Sequence, residues 1–172
     1  MRPRTLFVAW RLTVRLVPAG LFLWAGLAKA LDGQGSILAV DAYDVVPLSL
    51  VRPLAAILPW VEIGVGVLLA LGLFVRFAGI ATAALAGLFI AALAQAKARG
   101  LQIDCGCFGG GGPGDGVSWW DILRDVPVLL AGIYLAARPH GPLQLDNLFV
   151  DLEADGGQDR ETDETRAPAR SS

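Results

Sequence analysis

The sequence predicts an all-α fold, a polytopic membrane protein built as a four-transmembrane-helix bundle. Three observations carry that reading. The chain is 55% hydrophobic and only 17% charged, its charges are clustered, and the clusters leave long uninterrupted apolar runs. Four such runs occupy most of the 172 residues apart from a polar tail, so no room remains for a separate soluble domain.

The first run, Leu16 to Ala28, continues an apolar stretch that begins near Trp10, is broken only by Arg11 and Arg15, and ends at Lys29. Its Arg-rich start and its Ala28-Lys29-Ala30 sequence also fit a cleaved signal peptide. The stretch is nevertheless long enough to span, and Trp10 and Trp24 suit a retained anchor better than a leader. The second run, Leu54 to Val75, carries Pro59 and Glu62. The third, Phe77 to Ala96, has no ionisable residue between Arg76 and Lys97, and at ~1.5 Å per residue it crosses a ~30 Å hydrocarbon core. The fourth, Val117 to Ala137, holds Asp121, Arg124 and Asp125 in its first turns, after Trp119 and Trp120 as interfacial anchors. Without that charged turn the remainder is too short to cross. The charges must therefore sit at the membrane edge or against other helices.

Between the first two runs, Asp32 to Arg52 is too long for a turn and too apolar for a free loop. It is expected to lie along the outer membrane surface and cap the bundle near the cysteines. Gly109 to Gly116 reads as a hinge or spacer, since it lacks the Gly-Lys-Ser/Thr ending of a phosphate loop. Asp151 to Ser172 is acidic and almost free of apolar residues, a composition that predicts disorder. The chain accordingly divides into a membrane domain over residues 1–138, with its cysteine loop at 99–117, and a largely disordered acidic tail over 139–172. Gly79, Ala83, Gly87 and Ala91 recur every fourth residue, the spacing that lets helices approach closely in lipid, here read as packing within one chain and not as a dimer seam. Arg2, Arg4, Arg11, Arg76 and Arg138 fall on one side of an even topology, with Arg52, Lys97 and Arg99 opposite. That bias places both termini in the cytoplasm and the cysteine loop outside.

The chain has two cysteines, and they stand one residue apart in Asp104-Cys105-Gly106-Cys107-Phe108-Gly109. Gly106 has no Cβ, so the backbone can turn tightly enough to bring the two Cα atoms under the ~7 Å limit for a disulfide. A ring that small is strained, which raises its reduction potential, and its short loop removes little chain entropy. The pair is therefore suited to thiol–disulfide exchange and poorly suited to stapling the fold. Two thiolates can also hold monovalent copper, whereas zinc wants four ligands and the loop offers no histidine. His140 follows the fourth run on the predicted opposite face, so a Cys-His nucleophile is not expected, and neither is a resident metal.

Lys29 and Glu62 are the ionisable residues most clearly committed to the membrane. They match in depth, so an ion pair would cancel most of the cost of each. The alternatives are a snorkelling lysine and a helix that starts at Pro59, leaving Glu62 shallow at a favourable N-terminus. Arg124 is placed either to lower a cysteine pKa or to form an interfacial salt bridge with Asp121.

The order Phe22, Trp24, Gly26, Lys29, then Tyr43 and Pro47, Leu58-Pro59 with Glu62 and Gly64, Arg99-Gly100, the Cys-Gly-Cys-Phe-Gly stretch, and finally Arg124 resembles the methylamine utilisation protein MauE family, within the wider DoxX-like group of four-helix membrane proteins. The resemblance covers roughly Leu12 to Leu135. It implies a multi-pass protein of the bacterial inner membrane that works with a thioredoxin-like partner, MauD, in maturing the disulfide-rich small subunit of methylamine dehydrogenase. Under it the redox residues are Cys105 and Cys107, with Lys29, Glu62, Arg124 and Asp104 in support.

The expected function is exchange of disulfides between the Cys-Gly-Cys pair and a thioredoxin-like protein outside the membrane, one cysteine attacking and the other resolving the mixed disulfide. A thiol–disulfide oxidoreductase is one form of this. The rivals are a non-enzymatic assembly factor and a copper-handling or small-solute membrane protein. No cofactor is required by the sequence, although a quinone between the helices would serve as terminal electron acceptor. The expected partners are that thioredoxin-like protein and the lipid bilayer, with no nucleic acid.

Overall fold

The computed structural model describes residues 3–103 and 116–139. Its elements are all helical: α1 (Pro3–Leu31), α2 (Gly33–Ala42), α3 (Leu48–Leu71), α4 (Val75–Ala98) and α5 (Trp119–Ala137). Among the described residues, α1 from Leu6 to Leu31, α3 and α4 are long and apolar enough to cross a membrane. Large apolar side chains such as Trp24, Trp60, Phe77, Leu88 and Leu130 point outward. An apolar exterior on long apolar helices is the inverse of a water-facing surface, and the chain is a helical membrane bundle. The fifth helix has 19 residues and includes Asp121, Arg124 and Asp125.

The segment expected to lie along the surface from Asp32 to Arg52 is mostly helical. Only Asp32 separates α1 from α2: its N–H donates to the Ala28 carbonyl at 3.1 Å, its own carbonyl accepts from Ser36 N at 3.0 Å, and its carboxylate accepts from Gly35 N at 2.8 Å. A carboxylate on the first amides of a helix is a good N-cap, and here it folds the chain back in one residue. The helix α3 begins at Leu48, ahead of the apolar run expected from Leu54, so Arg52 lies inside it. Pro59 does not start a helix; α3 runs through both Pro53 and Pro59. Neighbouring helices hold such a segment helical despite the missing donors.

Residues 72–74 join α3 to α4. Gly72 adopts φ 68° and its N–H, with that of Leu73, returns to the last carbonyls of α3, a Schellman-type stop that glycine reaches without strain. Arg76, expected in this connection, lies in the first turn of α4. The fifth helix opens on a reciprocal cap: Ser118 accepts from the first turn while Asp121 accepts from Ser118 N at 2.9 Å.

Small residues set the helix spacing. A Cβ on Gly26 of α1 would stand 2.8 Å from both the Pro59 carbonyl oxygen and Ile63 Cγ1, and one on Gly66 of α3 would stand 2.8 Å from Leu23 Cγ, so α1 and α3 run antiparallel in backbone contact. On α4, a Cβ at Gly79 would meet the Ala136 nitrogen at 2.6 Å, and one at Gly132 of α5 would meet the Ala83 nitrogen at 2.6 Å. The small-residue stripe therefore packs within the chain at Gly79 and Ala83. One core cluster includes Ala19, Phe22, Val65, Leu69, Val75, Ala78 and Leu135. A second, made of Leu93, Ala96, Ile103 and Val117, closes the other end, where α4 stops and α5 starts.

Candidate functional site

Lys29 occupies the last turn of α1, and Glu62 lies midway along α3. They meet because α3 begins early and overhangs the end of α1, with α2 packed against the overhang. Lys29 Nζ donates to Glu62 Oε1 at 2.6 Å; the Glu62 side chain is 0% exposed and that of Lys29 10%. The ion pair expected from matched depth is thus formed, and neither the snorkelling lysine nor the shallow glutamate describes the fold. Gly26, one turn before Lys29, brings α1 close enough for the contact: a Cβ there would also stand 3.1 Å from Glu62 Cβ.

Two further groups complete the lysine's surroundings. Ser36 Oγ of α2 donates to the Lys29 carbonyl at 2.9 Å, satisfying an acceptor at a helix end that would otherwise be bare. Lys29 Nζ also stands 5.2 Å from the centroid of the Phe89 ring on α4, a cation–π distance. Glu62 Oε2, in contrast, accepts no hydrogen bond among the described residues although it is buried.

Both residues are among those lining a partly open cavity of about 110 Å³ between α1, α3, α4 and α5. Arg124 and Asp125 of α5 also line it, as do Phe22, Ala25 and Phe89. Arg124 Nη1 lies 3.5 Å from Asp121 Oδ1 and its Nε 3.7 Å from Asp125 Oδ1, so the interfacial salt bridge expected with Asp121 is present and shared with a second carboxylate. A second cavity of about 200 Å³, lined by α2, α3 and α4, shares Lys29 and Phe89 with the first and is otherwise almost wholly apolar.

Three of the residues singled out from the sequence, Lys29, Glu62 and Arg124, therefore surround one cavity. Asp104, Cys105 and Cys107 lie outside the described residues, as does His140. The flanks of the cysteine segment are described. Ile103 and Val117 are both buried against Leu93 and Ala96, Lys97 Nζ donates to the Val117 carbonyl at 2.9 Å and stands 5.1 Å from the Trp119 ring centroid. Arg99 donates to the Tyr43 and Asp44 carbonyls and, at 2.7 Å, to the Asp44 carboxylate. Both ends of the segment are thus fixed at the end of the bundle that carries Lys29. Among the described residues no group of three or more His, Cys, Asp or Glu side chains could hold a metal ion.

Sequence reasoning did not single out Gly26, Ser36, Phe89 or Asp125 as parts of this site. For Asp125 the signal was available: it follows Asp121 by one turn on a helix whose start is marked by Ser118 and Asp121. Phe89 carried none, since an aromatic residue within an apolar run has no distinguishing pattern.

Residues 6–138 match the family model of the methylamine utilisation protein MauE. Among similar proteins, the methylamine utilization protein MauE of Paracoccus denitrificans is 37% identical over 130 residues, covering 75% of this chain and 68% of that protein. Those of Methylophilus methylotrophus and Methylorubrum extorquens are each 35% identical over 127 residues, covering 70% of this chain and 67% and 68% of theirs. No solved structure matches.

Proposed function

Because the chain belongs to the MauE family, we propose that it is a membrane redox protein serving methylamine utilisation, the process its relatives are named for. Cys105 and Cys107 exchange disulfides with a thioredoxin-like partner and so support the maturation of disulfide-containing proteins outside the membrane. The partner's disulfide is attacked by one thiolate of the pair, and the second thiolate resolves the mixed disulfide that results. The same chemistry in reverse oxidises the partner.

The observation that carries this reading is the position of the Cys-Gly-Cys pair. It falls within the matched region, in a segment whose two ends, Ile103 and Val117, are anchored by burial at one end of the bundle. The Cys-Gly-Cys spacing suits a disulfide to turnover better than to stapling. In this reading α5 makes the fourth crossing, with its charged first turns at the outer edge and against the cavity. Both termini and the tail from residue 139 are cytoplasmic in the bacterial inner membrane, and the cysteine segment faces outside, where disulfides form.

Trapping tests the exchange. Cys105→Ser and Cys107→Ser should behave differently in cells after acid quenching and non-reducing electrophoresis. The variant that keeps the attacking thiol accumulates a reducible adduct with a thioredoxin-like protein, the other does not, and both lose function. Full function in the double Ser variant would remove the cysteines from the activity and leave a non-enzymatic assembly factor. Loss of function with a metal-dependent phenotype and no adduct would indicate copper handling.

A further inference from the structure

Residues 43–47 join α2 to α3 and are clamped in place. Asp44 adopts φ 48°, a left-handed conformation that a residue with a Cβ reaches only at a cost, and Arg99 at the end of α4 holds it there. Arg99 Nη2 donates to the Asp44 carboxylate at 2.7 Å, and Nη1 donates to the Asp44 and Tyr43 carbonyls at 3.2 and 3.4 Å. Pro47 then fixes the entry into α3 through its own restricted φ. The side chains that this clamped turn carries are nevertheless not buried. Val45 is 53% exposed and Leu48 80%, and Pro47 and Leu50 are exposed beside them.

Bilayer hydrocarbon does not account for these apolar groups. Asp41 and Ser49 are exposed among them, and an Arg99–Asp44 pair whose side chains are 41% and 77% exposed would not stand in hydrocarbon, so this face meets water or headgroups. The same face adjoins the cysteines. Tyr43 packs on the cluster of Leu93, Ala96, Ile103 and Val117 that anchors both flanks of the cysteine segment. Cys105 follows Ile103 by two residues, so chain length alone keeps their Cα atoms within about 7 Å of each other. A standard interface covers ~800 Å² on each partner. A protein joined to Cys105 through sulfur over an area of that size reaches residues 45–48 as well.

We propose that Val45, Pro47 and Leu48 form the docking surface for the thioredoxin-like partner, seating an apolar patch that borders the partner's own reactive cysteines. The inference rests on the exchange reading of Cys105 and Cys107 and names the surface by which the partner is selected. The Arg99 clamp preorganises this surface, so little chain entropy is lost when the partner arrives. Desolvated apolar anchors of this kind set how long the two proteins stay together, whereas the reaction at sulfur belongs to the cysteines. Docking changes no covalent bond. The exchange that follows forms the mixed S–S bond as the partner's own S–S bond breaks.

The test uses the full-length protein in cells, on the background of whichever single variant, Cys105→Ser or Cys107→Ser, accumulates the mixed disulfide. Val45→Glu combined with Leu48→Glu should lower the adduct about tenfold or more at equal protein level in membranes, on the scale of lost interface anchors. Val45→Ser combined with Leu48→Ser replaces the glutamates if they lower the protein level, and Val45→Ile combined with Leu48→Met should keep the adduct. In purified protein with both cysteines intact, the same substitutions should leave unchanged the redox midpoint in glutathione buffers and the rate at which the reduced pair reacts with hydroxyethyl disulfide, a small disulfide that needs no docking. An adduct retained in the glutamate and serine variants overturns the docking surface and leaves disulfide exchange intact. A matching fall in the small-disulfide rate also overturns it, because the patch would then act on the cysteines and not on the partner. Absence of any adduct from both single Ser variants with the patch unaltered marks the failure of the exchange reading itself, and the docking surface falls with it.

Discussion

Lys29 Nζ lies 2.6 Å from Glu62 Oε1, joining the last turn of α1 to the middle of α3 inside an apolar bundle. Neither charge would be tolerated there alone. The second carboxylate oxygen is buried and has no hydrogen-bond partner among the described residues, so the pair holds the helices together through Oε1.

Breaking this pair from either side leaves an uncompensated buried charge, a cost of about 3–5 kcal/mol. Lys29→Met and Glu62→Gln should each lower the amount of protein in membranes, and the double variant should recover part of the loss because it leaves no buried charge unpaired. Quantitative immunoblotting of membrane fractions measures all three. Simple additivity of the two defects would contradict the coupling.

Gly26 makes a sharper packing test. Gly26→Ala places a methyl group against the Pro59 backbone carbonyl, which cannot rotate away, and overpacking of this kind costs about 1–3 kcal/mol. Gly64→Ala lies on the same pair of helices with nothing within 4 Å of its new Cβ and should be neutral or slightly stabilising. Thermal unfolding of the purified protein in detergent compares them; equal midpoints would show that α1 and α3 are not locked at this contact.

Much of the architecture follows from composition and spacing alone. Apolar runs bounded by clustered charges locate the long helices, matched depth pairs Lys29 with Glu62, and one-turn spacing pairs Arg124 with Asp121. The reading fails where tertiary contacts override local signals. Pro59 is a helix breaker in water, yet α3 continues through it among neighbouring helices. Between Asp32 and Arg52, apolar residues scattered without a clear period concealed α2, whose start is a one-residue carboxylate cap. The cavity itself is invisible in sequence because it joins residues from four helices. Cys105 and Cys107, the most specific feature of the chain, lie outside the described residues, so their role rests on spacing, on family, and on the anchored flanks at Ile103 and Val117.

The topology makes an independent prediction. In a Cys-free variant with single cysteines introduced at Gly112 or Arg160, an impermeant maleimide added to intact cells lacking an outer-membrane barrier should label position 112 and spare position 160. The basic residues near the helix ends give this orientation. Protection at 112 together with labelling at 160 would reverse it.

The redox midpoint of the Cys105–Cys107 pair tests the account most directly. It is measured on the full-length protein equilibrated in glutathione buffers, with the thiols counted by alkylation and gel shift. A strained three-residue disulfide that turns over should be half-reduced above about −300 mV, within reach of thioredoxin-like partners. A midpoint well below about −300 mV would mark a structural bond resistant to exchange and would contradict the redox role.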